Sequence, residues 1–387
     1  MNTPRSRPQL ALFGVLALFL LTGCPGEVPQ PAPQTGDAAK SSADSNATDG
    51  SNRPEAATRR IIILTNGNSP FWDAARAGMK DAASELGIEA DGFQTVMEVS
   101  DPTPQGQLDK LRQFASQSDV AGVGISPVDA DNAAIADAMR ELQTRGVKVI
   151  TIDSDVNRSM MHDARFAYIG TDNFAGGREL GVCAKKLRPE GGGYVTFVGL
   201  TGAQNAIDRI GGFAEGAGDR FESLDNMGDG TERARARDNV RNAIQNHVDK
   251  LTTLVGIWSY NAPAIVDVVR EMDKRDELTV VVFDAEPIAV QQIGEGMIDA
   301  MIVQNPYQMG FQGVRLLKAL AEDNAAVVKK MFPHPDEPDG RIYDTGLKVV
   351  VPNSQSPLKR EHFGENTEFL TLDEFKKWLD EYGLQGS

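Results

Sequence analysis

The chain has 387 residues, more than a single hydrophobic core usually spans and about right for two lobes with extensions. Its 39 basic and 55 acidic residues leave a net charge of −16, and no long basic run offers a face to nucleic-acid phosphates. Two cysteines exclude a disulfide-stapled scaffold, and four scattered histidines leave no zinc-ligand spacing.

At the N-terminus Arg5 and Arg7 precede the apolar run Leu10–Leu21, which is too short to span a bilayer comfortably. Thr22 and Gly23 then lead into Cys24. Small residues before a cysteine at the end of such a run resemble the bacterial lipobox. That resemblance implies a lipoprotein signal peptide over 1–23, cleavage before Cys24 and acylation of Cys24 as a membrane anchor. Cleavage would remove two arginines and leave the chain more acidic. It would also leave Cys183 alone; in its helical pattern this thiol reads as a small buried apolar residue. Residues 25–58 are rich in Pro, Ser, Gly, Asn and Ala and cannot bury enough apolar surface to offset ordering. Residues 24–58 therefore read as a lipidated cysteine and a disordered tether, with a reach of about 30 Å.

From Arg59 onward strand and helix patterns alternate. Residues 61–65 (IIILT) read as a buried strand, and Ala75, Met79, Ala82 and Leu86 mark the apolar stripe of the next helix, which Gly87 ends. Further strands are expected at 120–125, 147–152, 194–199, 254–258, 280–283, 300–303 and 347–352. Helices with apolar faces fall between them, around Ile135 to Leu142, over 231–247 and around Ile265 to Met272. Such alternation predicts an α/β fold of two doubly wound lobes, each with a parallel sheet covered on both faces. The segment 353–387 reads as a polar extension ending in an acidic amphipathic helix over 370–383 that packs on the body.

In open parallel sheets, ligands bind beyond the carboxyl ends of the strands. Five predicted strands end in carboxylates or carboxamides: Asn66 with Asn68, Ser69, Phe71 and Trp72; Asp153 with Ser154; Asn261; Asp284; and Gln304 with Asn305. Singly, each would be a helix cap or a turn residue; the repetition points to a site. No nucleophile elbow, zinc-protease or phosphate-loop motif is present, and a set of Asn, Gln, Asp and Arg suits hydrogen bonding better than proton shuttling. Carboxylates accept, guanidinium donates and carboxamides do both, which matches the hydroxyls of a sugar. An aromatic face can cover the C–H surface of its ring.

Over residues 60–352 these motifs resemble the periplasmic sugar-binding proteins of ABC transporters, of the ribose- and galactose-binding type. N-S-P-F-W, VITIDSD, the IGTDNFAGGRELG segment, DRIGGF, WSYN, VVVFDAEP and IVQNPYQMG follow that family's order. The resemblance implies that Phe71 and Trp72 wall the sugar and that Asn68 or Ser69 bonds a hydroxyl. Asp153, Arg209, Asn261, Asp284 and Gln304 would be polar contacts. Three departures stand out. Ser154 replaces an arginine usual in ribose binders, Ala262 follows Asn261 where aspartate is usual, and the Asp229–Glu232 segment lacks an aromatic.

The same resemblance implies a type I periplasmic binding protein fold with a three-strand hinge. The first lobe would comprise 59–166 and 305–344, and the second 167–304 and 345–352. The implied protein is a monomeric solute-binding lipoprotein in the periplasm or cell envelope. It needs no cofactor or metal, is not an enzyme, and delivers a monosaccharide or polyol to an ABC permease. A sensor for a membrane kinase or chemoreceptor is the alternative on the same fold. A lipid-anchored carbohydrate-active enzyme is a further one.

Overall fold

The structure is a computed structural model that describes residues 58–337 and 339–387. The signal segment, Cys24 and the tether up to residue 57 lie outside the described residues.

The body is built on two sheets. Strands β1 (Arg59–Leu64), β2 (Phe93–Glu98), β3 (Val120–Ile125), β4 (Lys148–Ile152) and β5 (Tyr168–Gly170) belong to the first. Strands β6 (Gly192–Val198), β7 (Phe221–Gly228), β8 (Leu251–Gly256), β9 (Thr279–Phe283) and β10 (Ala300–Val303) belong to the second. The chain then returns to the first sheet for β11 (Ile342–Asp344), and ends in the second with β12 (Leu347–Val351) and β13 (Thr367–Thr371). The first sheet runs β11-β5-β4-β3-β1-β2 and the second β13-β12-β10-β9-β8-β6-β7. All pairings are parallel except β10 with β12.

Alternation along the strands explains why both sheets need helices on two faces. Ile61 and Ile63 enter one core of the first lobe, while Ile62 and Leu64 enter the core on the opposite face. In the second lobe Val280 and Val282 face one core, and Val281 and Phe283 the other. Cys183 is buried in that second core, and burial pushes its thiol pKa up.

Three differences from the sequence reading have physical causes. Strand β5 pairs with β4 and β11, so it completes the first sheet, and the chain leaves that lobe after Gly170 rather than at 166/167. Strands β2 and β7 were not anticipated; they are sheet edges with few buried side chains, so their apolar signal is weak. The segment after 352 is not merely an extension, because β13 adds a strand beside β12. The helix Leu372–Glu381 follows, its start fixed by reciprocal bonds between Thr371 and Glu374. Leu372, Phe375 and Leu379 from it are buried in the second lobe's core.

The chain passes between the sheets at three places: after Gly170, after Val303 and after Asp344. The helix Pro306–Ala321 packs on the first lobe, its Gly310 close against the backbone of Ala75 in the helix Phe71–Glu85. In the second lobe the helices Asn173–Leu187 and Gln204–Ala217 lie together along Gly177, Gly181, Gly212 and Gly216. A methyl group on any of these four would overlap backbone of the facing helix.

Candidate functional site

The carboxyl ends of both sheets face one cleft with about 570 Å³ of unfilled space, its open mouth included.

Two aspartates occupy equivalent places. Asp153 follows β4 and Asp284 follows β9, and both backbones are left-handed, with φ of 62° and 61°. The N–H of Asp153 donates to Ile169 O beside β4, and that of Asp284 to Ile302 O beside β9. Each strand thus extends one residue further and then turns sharply. Aspartate is one of the few non-glycine residues that adopt this conformation readily, and here the turn brings both aspartates into the cleft wall.

Arg209 lies between the two carboxylates and is 1% exposed. Its guanidinium is 4.0 Å from Asp153 Oδ1 and 3.7 Å from Asp284 Oδ2. It is oriented by Nε donating to Asn173 Oδ1 at 2.8 Å, by Nη1 donating to Ile257 O at 2.9 Å, and by stacking on Phe283 at 4.4 Å. Asp153 also accepts from Ser126 Oγ at 2.9 Å and from Asn205 Nδ2 at 3.3 Å. Asp284 accepts from Gln304 Nε2 at 3.0 Å. Burial pushes the Asp284 carboxyl up to about 6, against the pull of Arg209 and of the Gln304 amide. Burial raises Asp153 as well, with Arg209 and Ser126 holding it back.

Of the residues singled out in the sequence, Asn68, Ser69, Phe71, Trp72, Asp153, Arg209, Asp284 and Gln304 line the cleft. Phe71 and Trp72 are mostly buried and meet edge to face at 5.2 Å. Two residues do not line it. Ser154 turns away because the left-handed Asp153 folds the next residue back, its N–H bonding Ile152 O. Asn261 starts a helix, where its Oδ1 accepts from Trp258 N and its Nδ2 donates to Asp229. It therefore shapes the loop Trp258–Tyr260, and that loop reaches the cleft in its place.

Sequence reasoning missed Asn205, Thr231, Arg233, Trp258, Ser259 and Tyr260 in the cleft wall; Asn66, read as a strand-end carboxamide, also lines it. Asn205 was legible in principle, being four residues before Arg209 on one helix face. Trp258 lines the cleft, and its ring lies over Gly199 so closely that a Cβ there would overlap it. Asp229 is engaged by the hydroxyl of Tyr260 and by Asn261.

Four polar atoms of the cleft-lining residues are buried and make no hydrogen bond within the protein: Asn205 Oδ1, Arg209 Nη2 (which has only the 4.0 Å ion pair with Asp153), Trp258 Nε1 and Gln304 Oε1. They are two acceptors and two donors. Buried groups left in this state are destabilising, so a ligand that pairs them recovers that energy. The chemistry required is a compact molecule that both donates and accepts around its rim.

Comparison with known proteins gives a consistent result. The profile of the periplasmic binding protein domain family matches residues 61–325. The ribose import binding protein of Escherichia coli is 24% identical over 293 residues, which covers 75% of this chain and 89% of that protein. The D-allose-binding periplasmic protein of the same organism is 24% identical over 301 residues, covering 76% and 92%. Among solved structures, an ABC transporter solute-binding protein from Burkholderia graminis in complex with D-arabinose superposes with a TM-score of 0.66. It is 24% identical and covers 79% of this chain and 99% of that one. A solute-binding protein from Agrobacterium vitis with bound D-fucose gives 0.66 at 20% identity, covering 78% and 98%.

Proposed function

The chain belongs to the periplasmic binding protein family, and from that premise we propose that it is the sugar-binding component of an ABC-type importer. It closes two lobes, hinged at the three crossing segments, over one neutral monosaccharide or related polyol. The observation that carries this reading is the set of two unpartnered donors and two unpartnered acceptors around Arg209, flanked by Asp153 and Asp284. A sugar rim supplies both kinds of partner, whereas an anionic ligand would meet two carboxylates. Trp72 and Trp258 offer apolar ring surface, from the first and second lobe respectively. The lipobox at Cys24 and the polar stretch after it support an acylated protein held at a membrane of the cell envelope. Its ligand-bound form would be handed to a permease.

The test is a native mass spectrum of the full chain incubated with pentoses, hexoses and their alditols. One member of the panel is expected to shift the mass by a single ligand. If none does, and a non-polyol metabolite does, the reading is wrong.

Binding should depend on pH with a defined sign. In the unliganded cleft Asp284 keeps its proton up to about pH 6. A sugar hydroxyl that donates to this carboxyl favours the ionised form, so binding releases a proton below neutrality. Affinity is therefore expected to fall about tenfold between pH 7 and pH 5. Asp284→Asn should flatten that dependence. Stability of the unliganded protein runs the other way. A carboxyl raised by folding binds more protons in the native state, so stability drops as pH rises from about 4 to about 6. Titration calorimetry in two buffers of different ionisation enthalpy reads the proton release directly.

A further inference from the structure

We infer that Tyr382 is a positioning residue for ligand binding, acting from outside the cleft as a clasp between the two lobes. The helix Leu372–Glu381 belongs to the second lobe through Leu372, Phe375 and Leu379. At its end, the Tyr382 ring meets the ring of Tyr307 at 4.6 Å between centroids. Tyr307 belongs to the other lobe: its helix packs on the first sheet, and its hydroxyl donates to Asp81 Oδ2 at 2.8 Å. The contact extends an aromatic ladder. Phe375 stacks on Trp378 at 5.7 Å, Trp378 meets Tyr382 at 5.4 Å, and Tyr307 stacks on Phe311 at 6.5 Å. The ladder is fixed at its second-lobe end by Lys348 of β12, whose ammonium lies 4.3 Å from the Trp378 ring centroid.

The place of the clasp gives it leverage. Tyr307 is three residues beyond Gln304, at the second crossing between the lobes. Past Tyr382 the chain turns back beneath the cleft, where Ser387 exchanges backbone hydrogen bonds with Ala285, next to Asp284. The Ser387 hydroxyl donates to Gln304 O at 3.1 Å. The same segment thus spans the lobes and backs two cleft residues.

In this structure the lobes also touch across the cleft, with Ala130 N donating to Gly202 O at 3.0 Å and Asn205 reaching Asp153. The Tyr307–Tyr382 contact is made in this closed arrangement; on the proposal it is broken when the lobes part, and so it raises the population of the closed form. Apparent affinity scales with the closed fraction. An aromatic pair of this kind shifts such an equilibrium about two- to tenfold.

The inference rests on the two-lobe sugar-binding reading, and the test separates the two. Tyr382→Ala in the full chain is compared with wild type and with Tyr382→Phe, using the sugar of the panel that wild type binds. The expected result is a two- to tenfold weaker affinity, carried by faster release, and a larger unliganded radius of gyration by small-angle scattering. Tyr382→Phe should restore both, since the ring and not the hydroxyl makes the contact. Equal affinity and equal radius for wild type and Tyr382→Ala, with only a lower melting temperature, would overturn the clasp. If wild type binds no sugar, the sugar reading fails, and the scattering comparison still decides the clasp.

Discussion

Arg209→Met is expected to abolish sugar binding and to destabilise the fold by about 3–5 kcal/mol. Both effects have one origin. The guanidinium is the cation within 4.0 Å of Asp153 and Asp284, and all three side chains are almost fully buried. Without it the two carboxylates face each other in a low-dielectric cleft with hydrogen bonds but no countercharge. Their pKa values rise further, and at neutral pH the fold must accept either a buried uncompensated charge or an extra proton. Methionine keeps an unbranched apolar side chain of similar bulk but loses the guanidinium's stacking on Phe283 and its bonds to Asn173 and Ile257 O, so the loss combines the missing charge with those partners. The account makes a sharper claim for the double variant. Arg209→Met with Asp284→Asn should recover part of the stability in urea denaturation, because one uncompensated carboxylate is gone. It should recover none of the binding, because the guanidinium donors of Arg209 are still missing and an asparagine at position 284 keeps only one of the two acceptor oxygens.

Gly177→Ala is expected to weaken binding by more than tenfold although residue 177 does not line the cleft. A methyl group there would overlap the carbonyl and Cα of Arg209 on the facing helix. Backbone cannot yield as a side-chain tip can, so the helices must separate or slide, at about 1–3 kcal/mol for overpacking. The displaced residue is the one that bridges the two aspartates. Gly211→Ala is the control on the same helix as Arg209. Its new methyl would meet only the edge of Phe174 at 3.6 Å, an ordinary contact. That change should leave affinity intact and, by helix propensity alone, stabilise by up to about 1 kcal/mol. Equal effects of the two alanines, measured by denaturation and titration, would mean that helix packing does not position Arg209.

The contrast between Asp153 and Asn261 shows where sequence reasoning stops. Both follow predicted strands, and both were assigned to the cleft on that ground. Asp153 continues its strand by one residue and stays in the cleft. Asn261 comes after a further three-residue loop, and its side chain is consumed in holding that loop and Asp229. Strand-end position selects the neighbourhood, but backbone geometry decides which side chain faces in. The same limit applies to the sheets. Central strands such as β3 and β9 are apolar on both faces and stand out in the sequence, whereas β7 is half exposed and reads as loop. Strand β5 has three residues and falls where the sequence reading began the second lobe; its place in the first sheet depends on pairing with β4 and with β11, far away in the chain. The Tyr307–Tyr382 contact joins residues from different lobes, and no local pattern marks it.

The central claim is that Asp153, Arg209 and Asp284 hold one small polyhydroxylated molecule between the lobes. Calorimetric titration of the full chain at pH 7 with a panel of neutral pentoses and hexoses tests it most directly. The account predicts saturation at one site by at least one of them, and no heat of binding for the same sugar with Arg209→Met. Saturation of Arg209→Met with unchanged affinity, or no binding of any sugar by wild type, would contradict it.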